Sequence, residues 1–106
     1  MLALPCGVMY NFTKVRIMLF EWDEHKNREN KRKHGIAFEE AVRVFADPNL
    51  KIVLDSEESE IRWNAVGFAD KMLFVVFTER GKNALRIISA RKATKREIYG
   101  YKNDDL

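Results

Sequence analysis

The chain reads as an α+β domain, an antiparallel β-meander packed against two N-terminal helices and a C-terminal helix on one face of the sheet. Three observations predict it. Four strand-like runs in the second half, Leu50 to Asp55, Ile61 to Phe68, Met72 to Glu79 and Leu85 to Arg91, are joined by short polar turns suited to antiparallel hairpins. A stripe of helical period precedes them, and a helix-capping signature follows. The 106 residues, 46% hydrophobic and 33% charged, supply one core and exclude a disordered chain.

Ile17 to Trp22 is a short apolar run suited to a first strand. Asp23 can cap a helix through Lys33, and Gly35 offers the left-handed exit. That helix contains no aliphatic residue, so it reads as a solvated element held by pairs such as Asp23 with Asn27 or Glu29 with Lys33. Its acids lie mainly at the start (Asp23, Glu24) and Lys31, Arg32 and Lys33 at the end near His34, as the macrodipole favours. A second helix follows from Phe38, Ala41, Val42 and Phe45, which form one apolar stripe, and Asp47-Pro48-Asn49 stops it. Met72 to Phe77 is apolar on both faces and is the best central strand. Thr94-Lys-Arg-Glu97 is a capping box that opens the last helix.

The organised pattern begins near Ile17, and Met9 and Met18 are both possible initiators. Residues 1–17 therefore read as an N-terminal extension or a start-site artefact, and 18–106 as the domain. The apolar opening lacks a basic lead and is too short for a membrane span, so no targeting segment or membrane association is expected. A single cysteine, Cys6, allows no intrachain disulfide and suits a reducing, cytoplasmic setting.

The net charge of +3 is unevenly spread. Residues 1–37 carry 7 basic and 4 acidic groups, 38–61 carry 2 and 7, and 62–106 carry 10 and 5. Arg80, Lys82, Arg86, Arg91, Lys92, Lys95 and Arg96 fall in a stretch without a carboxylate, which favours a polyanionic partner. No metal constellation, glycine-rich phosphate loop or Gly-x-Ser-x-Gly elbow is present, and no cofactor is expected; His25 and His34 lack ligand spacing. What remains is a set of arginines at strand ends: Arg62, Arg80, and Arg91 beside Ser89. Each alone reads as a surface ion pair. Together, next to the basic stretch, they point to phosphate, which the guanidinium fork binds bidentately. Whether Arg80 and Arg91 converge depends on the sheet order.

These residues also resemble a known family. Phe20-Glu-Trp-Asp-Glu24, Lys33-His-Gly-Ile36, Phe38-Glu-Glu-Ala41, Arg62-Trp63, Phe77-Thr-Glu-Arg-Gly81 and Ile87-Ile-Ser-Ala-Arg-Lys-Ala-Thr94 are similar, in order, to the BrnT family of bacterial toxins. The resemblance implies a RelE-like fold and a type II toxin whose endoribonuclease activity blocks translation. It implies a BrnA-type ribbon-helix-helix antitoxin, and promoter DNA bound only through that complex. Ala37 departs from a helix-capping Ser. The site residues carried over are Lys33, His34, Arg80, Arg91 and Ser89, with Arg62 a weaker one.

Metal-independent RNA cleavage needs a base for the 2′-OH proton and positive charge on the phosphorane. Arg80 and Arg91 are assigned to the phosphorane and His34, beside Lys33, to proton transfer; the rival reading has His34 only closing its helix. Glu79 is a second base or a partner orienting Arg80. Lys82, Arg86, Lys92, Lys95 and Arg96 would hold the RNA backbone or the antitoxin. Two other readings stay open: a non-catalytic RNA-binding module akin to a double-stranded-RNA-binding domain, and an interaction protein whose basic face docks an acidic partner. The acidic segment 38–61 is a solubility counterweight or a second docking surface.

Overall fold

The computed structural model describes residues 9–13, 16–57 and 59–106; Cys6 and the apolar opening before Met9 lie outside them. Six strands form one mixed sheet: β1 (Met9–Thr13), β2 (Arg16–Glu21), β3 (Lys51–Ser56), β4 (Arg62–Phe68), β5 (Met72–Arg80) and β6 (Ala84–Lys92). Their spatial order is β1-β2-β6-β5-β4-β3. The strands β3 to β6 are the expected antiparallel meander, with ends within a residue of the expected ones, and β5 lies inside it.

The other half of the sheet departs from a pure meander. β2 joins β6 in parallel, Leu19 opposite Ala84 and Glu21 opposite Arg86, because the chain leaves β2 into helices and returns beside it only after β5. β1, within the segment read as an extension, pairs antiparallel with β2 from Met9 opposite Phe20 to Thr13 opposite Arg16. A bulge interrupts β6: Val76 pairs with Ser89 but Phe77 pairs with Ile87, leaving Ile88 as the extra residue.

Helix α1 (Glu24–His34) starts as expected, with the Asp23 carboxylate accepting from the His25 and Lys26 N–H groups at 2.8 and 3.3 Å, and Gly35 ends it at φ +75°. Its ion pairs are Glu24 with Arg28 and Glu29 with Arg32. The helix is not solvated throughout, because Asn27 and Asn30 are buried. β2 ends opposite Arg86, and further along β6 the Asn30 carboxamide takes the place of a strand. Its Nδ2 donates to the Ala90 carbonyl at 2.8 Å, and its Oδ1 accepts from the Ala90 N–H at 3.1 Å. A carboxamide carries the same donor and acceptor as a peptide group, so a polar side chain can dock a helix without an aliphatic stripe. Nδ2 also donates to the Ile36 carbonyl at 2.8 Å.

Asn27 solves a second problem. Helix α2 (Phe38–Ala41) has Ala37 at its N-cap and no side-chain cap there. The Asn27 Oδ1 accepts from the Phe38 N–H at 2.7 Å, and its Nδ2 donates to Glu39 at 2.9 Å. The expected single helix to Phe45 is instead one α-turn followed by a 3-10 segment, Val42–Ala46. Three residues per turn align Val44 beneath Ala41, and both are fully buried.

These elements cover one face of the sheet, where Phe20, Ile36, Phe38, Val44, Leu73, Val75 and Ile87 form the core. Helix α3 (Lys95–Asn103), capped by Thr94 and Glu97 as expected, lies on the other face, which corrects the placement of all helices on one side. It packs on β4, where Val66 is buried outside the main core. Asp47 pins it: the carboxylate accepts from the Tyr101 hydroxyl at 2.6 Å and the Phe68 N–H at 2.7 Å.

Candidate functional site

Plain alternation would put Arg86 and Arg91, five residues apart, on opposite faces of β6. The extra residue at Ile88 brings both, with Ser89, onto the face away from α1. On β5, Thr78 stands opposite Arg86, Val76 opposite Ser89 and Phe74 opposite Arg91. Arg80 shares this face with Thr78, and Arg62 shares it with Asn64, the partner of Val76. Arg62, Arg80, Arg86, Ser89 and Arg91 therefore stand on one side of the sheet.

They do not form one site. Arg80 lies opposite Ala84 and Arg91 opposite Phe74, so six residues of β5, about 20 Å of strand, separate them. The hairpin sets the start of β6 beside the end of β5 and carries Arg91 to the far end. A single phosphate shared by Arg80 and Arg91 does not fit this register.

At the far end Arg91 is compensated. Its two terminal nitrogens donate to the two Glu97 carboxylate oxygens at 3.0 and 2.9 Å, and the guanidinium lies 4.0 Å over the Phe74 ring. Burial pushes the Glu97 carboxyl up, but the Arg91 and Thr94 hydrogen bonds outweigh it and hold the group below its ordinary range. Lys92, Lys95 and Arg96 follow at the end of β6 and in the first turn of α3. Lys33 and His34 lie in the last turn of α1, on the covered face. Asp23 lies close enough to Arg86 to feel its charge and Asn30 sits at Ala90, so α1 runs along β6 and its last turn passes beyond Ala90.

The near end is arranged differently. Arg62 donates through Nε to the Glu60 carboxylate at 3.3 Å and holds it with a terminal nitrogen at 3.2 Å. Arg86 is paired with Glu21 at 3.1 Å, and the Thr78 hydroxyl donates to the Ile61 carbonyl at 2.7 Å. Arg80, diagonal to Arg86 across the β5–β6 pair, has no ion-pair or hydrogen-bond partner among the described residues. It lines a concavity of about 340 Å³ with Glu60, Ile61, Thr78 and Glu79. Lys82 lies in the adjoining turn. By alternation the Glu79 side chain belongs to the opposite face with Phe77, which removes it as a partner orienting Arg80.

A guanidinium without a partner among the described residues, with two arginines beside it that are paired to Glu60 and Glu21, can bind a phosphodiester, and the Glu60 carboxylate can accept a proton beside it. The sequence reading missed Glu60, Glu21 and Thr78. Glu60 precedes Arg62 by two residues, but only the β4–β5 register brings it beside Arg80. Among the described residues no group of three or more His, Cys, Asp or Glu side chains is disposed to hold a metal. No helix among them is long and apolar enough to cross a membrane.

The fold is a mixed α+β sheet with arginines along the face away from α1, an arrangement suited to a polyanion. Residues 22–97 match the family described as ribonuclease toxin, BrnT, of type II toxin-antitoxin system, and the chain belongs to that family. Among solved structures it is similar to the ribonuclease toxin BrnT of Brucella abortus, solved at 1.1 Å. The two are 28% identical with a TM-score of 0.55, over 70% of this chain and 94% of that one. No curated protein matches the chain in sequence.

Proposed function

We propose that the chain is an endoribonuclease toxin with a RelE-like fold, acting in the cytoplasm to cleave RNA and arrest translation. A BrnA-type ribbon-helix-helix antitoxin neutralises it, and promoter DNA is met only through that complex. The domain comprises residues 18–106. Family membership supports the class of activity; the observation that carries the site is the Arg80 guanidinium, without a partner among the described residues, in a concavity with Glu60.

Arg80 binds the scissile phosphate, with Arg62 and Arg86 beside it. Glu60, oriented by Arg62, takes the 2′-OH proton; the 2′ oxygen attacks phosphorus, the P–O5′ bond breaks, and the 5′ oxygen takes a proton from solvent. The products are a 2′,3′-cyclic phosphate and a free 5′-OH. The guanidinium groups supply the charge that the dianionic phosphorane needs, so the reaction proceeds without a metal. The strip from Arg80 past Ser89 to Arg91 is an extended RNA track, with Lys92, Lys95 and Arg96 holding backbone at its far end. His34 and Lys33, on the covered face, serve the helix terminus rather than proton transfer.

The test incubates purified protein with RNA in EDTA and maps the ends. Cyclic or 3′-phosphate termini for the wild type, lost in Arg80→Ala, support the reading. A strict requirement for divalent metal overturns the mechanism, and RNA bound but left intact favours the non-catalytic binding module.

A further inference from the structure

On the face covered by α1, α2 and the 3-10 segment, one corner is left open. A groove of about 310 Å³ lies there, lined by Phe45, Ile52, Trp63, Phe77, Glu79 and Leu85. Phe45 forms its back wall, with its ring 5.1 Å from that of Phe77. Ile52 is 49% exposed and Leu54, which pairs with Trp63 next to the groove, is 43% exposed. β3 is the last strand in the sheet order, so its outer edge pairs with no described strand. Exposed aliphatic side chains on a free edge are the usual template for an added strand.

Charge identifies the occupant. Glu79 is the one ionisable group in the lining, and it has no hydrogen bond or ion pair among the described residues. The Glu79 carboxylate repels an anionic backbone or lipid surface, whereas a cationic side chain is drawn to it.

We infer that this groove docks an extended segment of a protein partner, with apolar side chains at alternate positions and a Lys or Arg directed to Glu79. The segment pairs with the outer edge of β3, beside which no described strand lies, and places its apolar side chains beside Ile52 and Leu54. Glu79 and Arg80, adjacent in the chain, thus serve opposite faces, protein on one and RNA on the other. Glu79 also borders the Arg80 concavity, so a seated segment reaches the edge of the RNA site. This rests on the toxin reading in one respect, that the partner is the antitoxin.

The experiment titrates the purified product of the adjacent reading frame into wild type, Ile52→Asp and Glu79→Gln by calorimetry at two salt concentrations, with RNA cleavage and thermal melting measured alongside. Ile52→Asp is expected to weaken binding roughly 30-fold, with melting and cleavage unchanged. Glu79→Gln is expected to weaken it several-fold and flatten its salt dependence. Wild-type affinity in both variants overturns the docking site, as does an Ile52→Asp protein that loses RNA instead of the partner. A wild type that cleaves RNA but ignores the neighbouring product also overturns it and leaves the ribonuclease reading standing. Ile52-sensitive binding without any RNA cleavage supports the docking site and overturns the ribonuclease reading alone.

Discussion

Arg91 and Glu97 face each other in a bidentate pair, with both carboxylate oxygens engaged at 3.0 and 2.9 Å, and the pair joins the end of β6 to the first turn of α3. The same carboxylate accepts from the Thr94 N–H at 2.8 Å. A cation so engaged holds a helix in place.

This separates the two arginines experimentally. Arg91→Ala should lower stability by about 1–2 kcal/mol, after discounting the pair for its partial exposure, and keep most RNA cleavage. Arg80→Ala should leave stability within about 0.5 kcal/mol and reduce cleavage by about 10²–10³-fold. Urea unfolding and cleavage rates on both variants check this.

Acid should loosen α3. Burial raises the Asp47 carboxyl, but hydrogen bonds from the Tyr101 hydroxyl and the Asn49 and Phe68 N–H groups outweigh it, and the group is held below its ordinary 3.8. Glu97 is likewise held below 4.5. A depressed carboxyl contributes stability that is complete above its unfolded value and is lost as pH falls through the folded one. The melting temperature should therefore be flat above about pH 5 and fall below about pH 4. Asp47→Asn with Glu97→Gln should flatten that fall.

Asn30→Ala should destabilise the domain by about 2–4 kcal/mol, because it leaves the buried Ala90 N–H and C=O and the Ile36 C=O without their partner. Faster hydrogen exchange at the Ala90 amide than at Leu73 or Val75 would locate the damage; equal protection would show that another group takes over.

A chain starting at Met18 loses β1 and two residues of β2 but keeps the β2–β6 pairing at Leu19 to Glu21. It should fold and cleave RNA. The mass of the protein made from its own gene, compared with that of residues 18–106, identifies the start.

Local chemistry explains which parts of this fold were legible in the sequence. The meander was readable because short polar turns between apolar runs leave one simple connection, and the Asp23, Gly35 and Thr94–Glu97 signals act within a few residues of where they stand. The β2–β6 pairing was not, since Leu19 and Ala84 are brought together by a crossover that no local pattern encodes. Nor was the bulge, because Ile87 and Ile88 are equivalent as letters. Ala41 to Val44 carries a stripe that suits an α-turn or a 3-10 turn equally well. Of the site, the basic stretch was legible, but its division into two ends about 20 Å apart follows from register alone.

The Asn30 anchor bears on the order in which the molecule assembles. Its contact with Ala90 spans 60 residues of chain, so α1, held until then only by its local bonds to Ile36, Phe38 and Glu39, cannot lock onto the sheet before β6 has joined it. An aliphatic stripe could adhere early and slide; a carboxamide bonded at both its nitrogen and its oxygen accepts one register. The polar helix therefore acts as a late latch, closing only on a correctly formed sheet edge.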